Sequence, residues 1–456
     1  MSDPRPAADP REVARTSVVD SFGQLAVIAV SMAGGIFLSR LLGADGRGAF
    51  VLATSVVTGV IADLAALGLG VAAQVFASKH RARVGEVHTL ALAGIAASSL
   101  VAVLVGLAAG PFLLDTVFKG LPWRFWALQL ATLPFLLYLP VGYGILVGLG
   151  QVRRRSAFDV VFYALQNVAI VGVLLAGVYW VRVEPVAELV FLFCGMQALG
   201  AAALAREVSR HAPLLAKPGR DLARPFYRYG IVVWFGQIPN AVAWRIDQFI
   251  VNGMLGTTAL GVYNLATSNA QRSTVPALAV TRTLHAPVVA AGTREAAELC
   301  ALGFRQLLVV GAFTFLAGIA VAPLFPVVFG EDFRGAGELF LVVLAGWVFH
   351  NASRCVSLFY SGHLVDPTVP TVVNWVVLPL QGALTWALAA RFGLMGAAAA
   401  TAASYSLVCA GLVAAFLRRA DTPTLGGFLR FGPQDRDAWA GLLAPLRARF
   451  AKQPRP

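Results

Sequence analysis

Charge is scarce in this sequence. Only 13% of its 456 residues are Asp, Glu, Lys or Arg, about half the share carried by a water-soluble domain. Cysteine is scarce as well. Cys194, Cys300, Cys355 and Cys409 stand singly, without metal or redox spacing, so free thiols are expected. No glycine-rich loop ends in Lys-Ser or Lys-Thr, which excludes ATP-driven transport by this chain alone. The six His are scattered, and no acid, His and nucleophile fall into a catalytic constellation. Residues 1–16 are polar and Pro-rich, and the apolar run after them is long enough to span a bilayer. A cleavable leader is therefore not expected.

What fills the chain instead is hydrophobic: 58% of residues. That much apolar surface needs a solvent other than water. A bilayer core about 30 Å thick takes roughly 20 apolar residues per helix, and the long uninterrupted runs exclude the short alternating strands of a barrel. Spans are expected at 17–41, 49–75, 88–116, 124–148, 157–180, 185–206, 227–255, 257–289, 304–329, 337–362, 369–391 and 394–417. The reading is an all-α integral membrane protein of about twelve transmembrane helices.

Lys and Arg orient it. Twenty-six of the 36 basic residues fall on one side: in the N-terminal segment, at 79–83, at 153–155, in 206–228, in 282–305 and in the C-terminal segment. Seven fall on the other side: Arg40, Arg47, Lys119, Arg124, Arg182, Arg334 and Arg391. The excess puts both termini in the cytoplasm. It also makes the net charge of +13 a topology signal and not a nucleic-acid footprint. The outer loops are all short, which excludes most enzymes acting on that face. The remaining three cations, Arg245, Arg272 and Arg354, lie inside spans.

The linker 207–226 carries three prolines near the chain midpoint and suggests a hinge between halves. A repeat supports two halves. At an offset of 213, Phe22-Gly23-Gln24 recurs as Phe235-Gly236-Gln237, and LGADGRGAFVLATS (42–55) recurs as LGTTALGVYNLATS (255–268). The motif carries Gln24, Gly43 and Gly48 in the first copy, and Gln237, Gly256 and Gly261 in the second. Six helices per half is an even number, so the copies enter the membrane in the same direction, as parallel repeats. The domains expected are a tail 1–16, a lobe 17–206, the linker, a lobe 227–418 and a basic tail 419–456, within which 434–450 suits a short interfacial helix.

Charged residues within spans are costly and by default face a cavity or a partner. Arg245 and Asp247, two apart, point to different faces of a helix. They either line a cavity or tie neighbouring helices together. Arg272 sits mid-span and suits bidentate phosphate binding; the alternative is a structural bridge to Asp247. Arg354 follows Asn351 by one turn and either joins the same cationic surface or snorkels to the interface. Asp63, deep in the second span, and Asp20, near the start of the first, are candidates for proton or sodium coupling or for local charge pairs. No bound cofactor is expected.

Residues 21–73 resemble the opening of the polysaccharide-biosynthesis flippases, the Wzx-type O-antigen and exopolysaccharide translocases. The features are a first helix closing on Leu-Leu-Gly, a short loop with Gly-Arg-Gly, and a second helix closing on Asp63 and Leu-Gly-Leu-Gly. Residues 245–268 resemble the seventh-to-eighth helix motif of that family, and 273–291, with Pro287, the end of its eighth helix. The family belongs to the multidrug/oligosaccharidyl-lipid/polysaccharide exporter superfamily. The resemblance implies a V-shaped, two-lobed, alternating-access transporter with a cationic cavity, at home in the bacterial cytoplasmic membrane. Its implied substrate is an undecaprenyl-diphosphate-linked oligosaccharide, moved to the outer leaflet, with a polymerase and glycosyltransferases as working partners. One departure stands out. Met32 and Gly34 occupy the repeat positions of Arg245 and Asp247, and no charge lies between Asp20 and Arg40. The related lipid II flippases carry charge in that first helix, so lipid II is disfavoured. Competing readings are a multidrug or metabolite exporter, which favours an acidic cavity, a membrane-embedded glycosyltransferase or polymerase, which needs an acidic base or a large outer loop, and a non-transporting scaffold.

Overall fold

Hydropathy of this density dictates helices, because a backbone in lipid must satisfy its own hydrogen bonds. The computed structural model describes residues 10–179, 185–213, 216–419, 425–433 and 435, and among these every element is helical. The order is α1 (Pro10–Val51), α2 (Thr58–Ala65), α3 (Leu69–Lys79), α4 (Val84–Thr116), α5 (Trp123–Gly148), α6 (Val152–Tyr179), α7 (Pro185–Ser209) and α8 (Arg220–Ala243). It continues with α9 (Ile246–Gln271), α10 (Thr274–Ala290), α11 (Thr293–Val321), α12 (Phe325–Phe329), α13 (Ala336–Leu358), α14 (Thr368–Arg419) and α15 (Leu425–Leu429).

Nine helical stretches among the described residues are long and apolar enough to cross a membrane, and three of them turn part-way along. The 52 residues of α14 would measure about 78 Å at 1.5 Å per residue. Each of the three is turned by a glycine of positive φ: Gly43 in α1 (φ 66°, ψ −172°), Gly256 in α9 (φ 86°, ψ 179°) and Gly393 in α14 (φ 57°, ψ −138°). That region of backbone space is closed to residues with a Cβ. Dividing the three at these turns gives twelve crossings. Gly43 and Gly256, 213 residues apart, adopt the same conformation, so the repeat read in letters is present in the backbone.

The chain forms two compact units: residues 1–264 with 325–334, and 265–324 with 335–456. The first is built around a core from α3, α4, α5, α7 and α8, including Leu69, Phe76, Val87, Leu133, Ile145, Leu204 and Phe226. Within it the two repeat motifs cross reciprocally. A Cβ on Gly48 would run into the Thr257 carbonyl, and a Cβ on Gly261 would run into the Ala44 carbonyl. Thr257 is the repeat partner of Ala44, so each copy receives the other at the same place. Asp45 accepts hydrogen bonds from the hydroxyls of Thr257 (2.5 Å) and Thr258 (3.0 Å) beside the crossing. In the same unit Arg40 donates to the carbonyls of Val327 and Val328, capping the C-terminal end of α12.

Described residues of the linker are fastened to the first unit at Ala216, Gly219 and Asp221. Arg83 donates to both carboxylate oxygens of Glu86 (2.7 Å each) and of Asp221 (2.7 and 3.1 Å). Glu86 accepts from the Gly219 N–H (2.9 Å), and the Ala216 N–H donates to Thr89 Oγ1 (3.0 Å). The Arg83 guanidinium and the Gly219 N–H hold the Glu86 carboxyl down at about 2.

The second unit has its own core, including Cys300, Phe304, Val356, Phe359, Phe416 and Phe428. All four cysteines are free and buried. The start of the C-terminal tail belongs to this unit. Phe428 packs at a tilt against Phe304 and Phe416, and Arg305 donates to Asp435 (2.9 Å) and to the Phe428 carbonyl (2.9 Å). Burial alone would raise the Asp435 carboxyl, but Arg305 and the Gly432 N–H outweigh it and hold it below the usual range. Of the interfacial helix expected at 434–450 only residue 435 is described; of the tail expected at 1–16, residues 1–9 lie outside the described residues and 10–16 form the start of α1.

Candidate functional site

Two of the three intramembrane arginines sit where a helix breaks. Arg245 lies between α8 and α9, and Arg272 lies between α9 and α10. At the second break the cause is local. Pro276 has no N–H for the Arg272 carbonyl, which instead takes the Val275 N–H at 3.1 Å. Interrupted membrane helices loosen backbone polar groups where a polar ligand is handled.

In the first unit, Arg245 pairs with Asp63 on α2 (Nη1 to Oδ2, 3.0 Å), so its charge is balanced there. This removes Arg245 from the set of uncompensated cations. Asp247 is buried. It accepts from the Tyr263 hydroxyl (2.8 Å) and from the Gln248 N–H at the start of α9 (2.8 Å). Arg47 is the residue the sequence reading missed. Assigned to an outer loop, it is buried and donates to Ser39 Oγ (2.8 Å), the Gly35 carbonyl (3.3 Å) and Asn264 Oδ1 (3.3 Å). The helix resumes at once after the Gly43 turn, which draws Arg47 inside. A signal existed: its repeat partner is Leu260, fully buried. Gln237 is exposed on α8, while the side chains of Asp20 and Gln24 lie outside the described residues.

In the second unit, Arg272 donates to Asn269 Oδ1, and Asn269 Nδ2 is held by the Leu265 carbonyl (2.8 Å). Asn351 on α13 donates to Ser273 Oγ (3.2 Å), next to Arg272. Arg354 follows Asn351 by one turn, half-buried and with a buried Nε. Among the described residues, Arg354 Nε, Asn351 Oδ1, His350 Nδ1 and Thr274 Oγ1 are buried without a hydrogen-bond partner. A buried polar atom without a partner carries an unmet hydrogen bond that a water, an ion or a ligand satisfies. His350 is wedged against Trp347 (5.1 Å) and Tyr405 (4.9 Å), which fixes the face of α13 that carries Asn351 and Arg354.

The charge balance of this unit is one-sided. No Asp or Glu occurs in residues 265–290, 301–324, 339–365 or 368–419. Arg272 and Arg354 therefore have no carboxylate in the spans of their own unit. Among the described residues no group of His, Cys, Asp and Glu is arranged to hold a metal ion.

Comparison with solved structures places the fold. A multidrug resistance MATE family transporter of the MOP superfamily, in an inward-facing conformation, superposes with a TM-score of 0.69 at 16% identity, covering 87% of this chain and 96% of that one. The lipid II flippase MurJ, in an inward closed conformation, gives 0.66 at 10% identity, covering 96% and 94%. A MOP superfamily transporter from Pyrococcus furiosus, described by a binding pocket of reversed polarity, gives 0.50 at 16% identity, covering 90% and 95%. No curated protein matches the sequence. The chain thus shares the helical fold of these transporters and is a multi-pass membrane protein. A family model described as "Polysaccharide biosynthesis protein" matches residues 13–280, more than half of the sequence, and the chain belongs to that family.

Proposed function

We propose that the protein is a flippase. It carries an undecaprenyl-diphosphate-linked oligosaccharide from the inner to the outer leaflet of the bacterial cytoplasmic membrane, by alternating access, with both termini in the cytoplasm. The product feeds O-antigen, capsule or exopolysaccharide assembly, working beside glycosyltransferases and a polymerase. Family membership supports the pathway. The observation that carries the substrate is the pair Arg272 and Arg354, set in spans without a single carboxylate and joined through the Asn351–Ser273 hydrogen bond, with buried polar atoms lacking partners at the adjacent positions 274, 350 and 351. A guanidinium presents a planar fork of donors that matches phosphate oxygens two at a time. Two of them, with Asn351 and Thr274, suit a diphosphate. Hydrogen bonds to a charged group contribute about 1.5–3 kcal/mol each. An organic cation finds no counter-charge in these spans, which disfavours a drug exporter.

The test is export in a strain lacking its own flippase, with membrane insertion checked by detergent-solubilised yield. Arg272→Ala and Arg354→Ala should each cut surface glycan at least tenfold while inserting normally. Arg272→Lys keeps the charge but loses the fork and should recover only part of the export. Full export by Arg272→Ala would overturn the phosphate role.

A further inference from the structure

The ion pair of the first unit is unusual in its exposure. Asp63 and Arg245 meet at 3.0 Å inside apolar spans, yet 44% and 27% of their side-chain surfaces remain uncovered. Charged groups at membrane depth are kept away from acyl chains and turned to water, a cavity or a ligand. The pair therefore looks onto an aqueous path, and it is built to lie open there. A Cβ on Gly59, one turn before Asp63, would strike the Arg245 guanidinium, so the absent side chain leaves the guanidinium room to lie across α2. Trp234 Nε1 donates to the Asp63 carbonyl at 3.2 Å, which fixes a half-buried indole ring beside the pair. Gln237, exposed and three residues on from Trp234, lies on the same face of α8.

These groups have no use for an anion. The carboxylate cancels the guanidinium, so no net charge attracts a phosphate. What they offer is a carboxylate with acceptor sites to spare, a guanidinium fork, and an amide that both donates and accepts. They do so next to an aromatic ring with an apolar face and one polar edge. A neutral polyol matches that set. Adjacent sugar hydroxyls donate to the carboxylate and accept from the guanidinium and amide, and the C–H face of the ring packs on the indole. We propose that Asp63, Arg245, Trp234 and Gln237 form a subsite for the hydroxyls of the glycan, separate from the arginines that hold the diphosphate. The inference rests on the flippase reading above.

A photo-crosslinking experiment separates the two. A benzophenone side chain replaces Ala241, one turn beyond Gln237, or, in a second variant, Ser273 beside Arg272. Membrane vesicles are charged with radiolabelled nucleotide sugars so that the resident transferases load the lipid, then illuminated. Mild acid cleaves the diphosphate ester that joins sugar to lipid carrier. An adduct formed through the glycan keeps its label after acid; one formed through the lipid or diphosphate end loses it. The expected result is acid-stable label at 241 and acid-labile label at 273. Asp63→Asn and Arg245→Gln should each lower the adduct at 241 at least tenfold and leave the adduct at 273 within twofold. Acid-labile label at 241, or no adduct there with a normal one at 273, overturns the subsite and leaves the flippase reading standing. No adduct at either position overturns both. If Asp63→Asn abolishes export with the adduct at 241 unchanged, the carboxylate serves ion coupling and the subsite assignment fails.

Discussion

Adding one methyl group at Gly48 tests the reciprocal crossing of the two repeat motifs. In Gly48→Ala the new Cβ meets the Thr257 carbonyl far inside contact distance, with the Gly261 N–H also close. Both obstacles are backbone, so no rotamer change relieves the overlap. The helices must part by on the order of 1 Å to restore ordinary contact. Such overpacking costs about 1–3 kcal/mol. Alanine also gains about 0.8–1.0 kcal/mol over glycine within a helix. That gain is shared by the crossed and separated states, so it raises overall stability without rescuing the crossing. Global stability should therefore change little. The equilibrium of the crossing itself should shift by the full clash energy, roughly 5- to 150-fold at 1.4 kcal/mol per tenfold. The assay is disulfide formation between Asp45→Cys and Thr258→Cys, which replace a pair now 3.0 Å apart, in a background without the four buried cysteines. Gly48→Ala should slow that disulfide by this factor, and Gly261→Ala by a similar one, because its own clash with the Ala44 carbonyl is the mirror of the first. The double variant should cost less than the sum, since helices already parted admit the second methyl freely. Gly35→Ala is the control: a Cβ there meets nothing within 4 Å, and the disulfide should form at the parental rate. An undiminished rate in Gly48→Ala, or strongly unequal effects of the two singles, would refute the reciprocal packing.

Three further outcomes follow from the charged groups. Arg272 and Arg354 are held in the membrane at a cost of about 2.5–3.5 kcal/mol each on insertion scales, so Arg272→Gln and Arg354→Gln should leave the melting temperature equal or higher while export falls; a lower melting temperature would mark them as structural. The Glu86 carboxyl, held at about 2, contributes stability that is complete above the ordinary glutamate range and lost only as pH falls through about 2. Amide exchange at 216–221 should thus have no clamp-dependent change between pH 5 and 8, and Glu86→Gln should accelerate it at every pH in that window. Asp435→Asn leaves Arg305 buried without its counter-ion, and removing one partner of a buried pair costs about 3–5 kcal/mol. Limited proteolysis after Leu429 should then speed up markedly, and Arg305→Leu with Asp435→Leu should restore much of the resistance.

Twelve spans were legible because bilayer thickness sets helix length and apolar runs announce it. The turns at Gly43 and Gly256 were legible as a recurring Leu-Gly, since only glycine adopts that backbone and the need for it survives divergence. The break at Arg272 was readable in principle, four residues before Pro276. The break at Arg245 has no glycine or proline at the site and could not be read. Partners were harder still. Asp63 and Arg245 are 182 residues apart, and periodicity says that each must find something without saying what. Arg47 was misplaced because charge beside a short loop reads as topology, whereas burial depends on whether the helix resumes at once.

The two copies of the motif divide scaffold from chemistry. What they share is backbone geometry: the positive-φ glycine, and the glycine that admits the other copy's carbonyl. What they do not share is the chemistry between Gln24 and Gly43, or between Gln237 and Gly256. The first copy runs through Met32 and Gly34 as unbroken helix; the second breaks at Trp244 and Arg245 and then buries Asp247 under Tyr263. A crossing that depends on main-chain contact tolerates such divergence, because side chains on the outward faces take no part in it. Polar groups accumulated in one copy therefore leave the crossing intact. That is the physical reason the Gly48 and Gly261 variants should behave alike while Arg245 has no counterpart to imitate it.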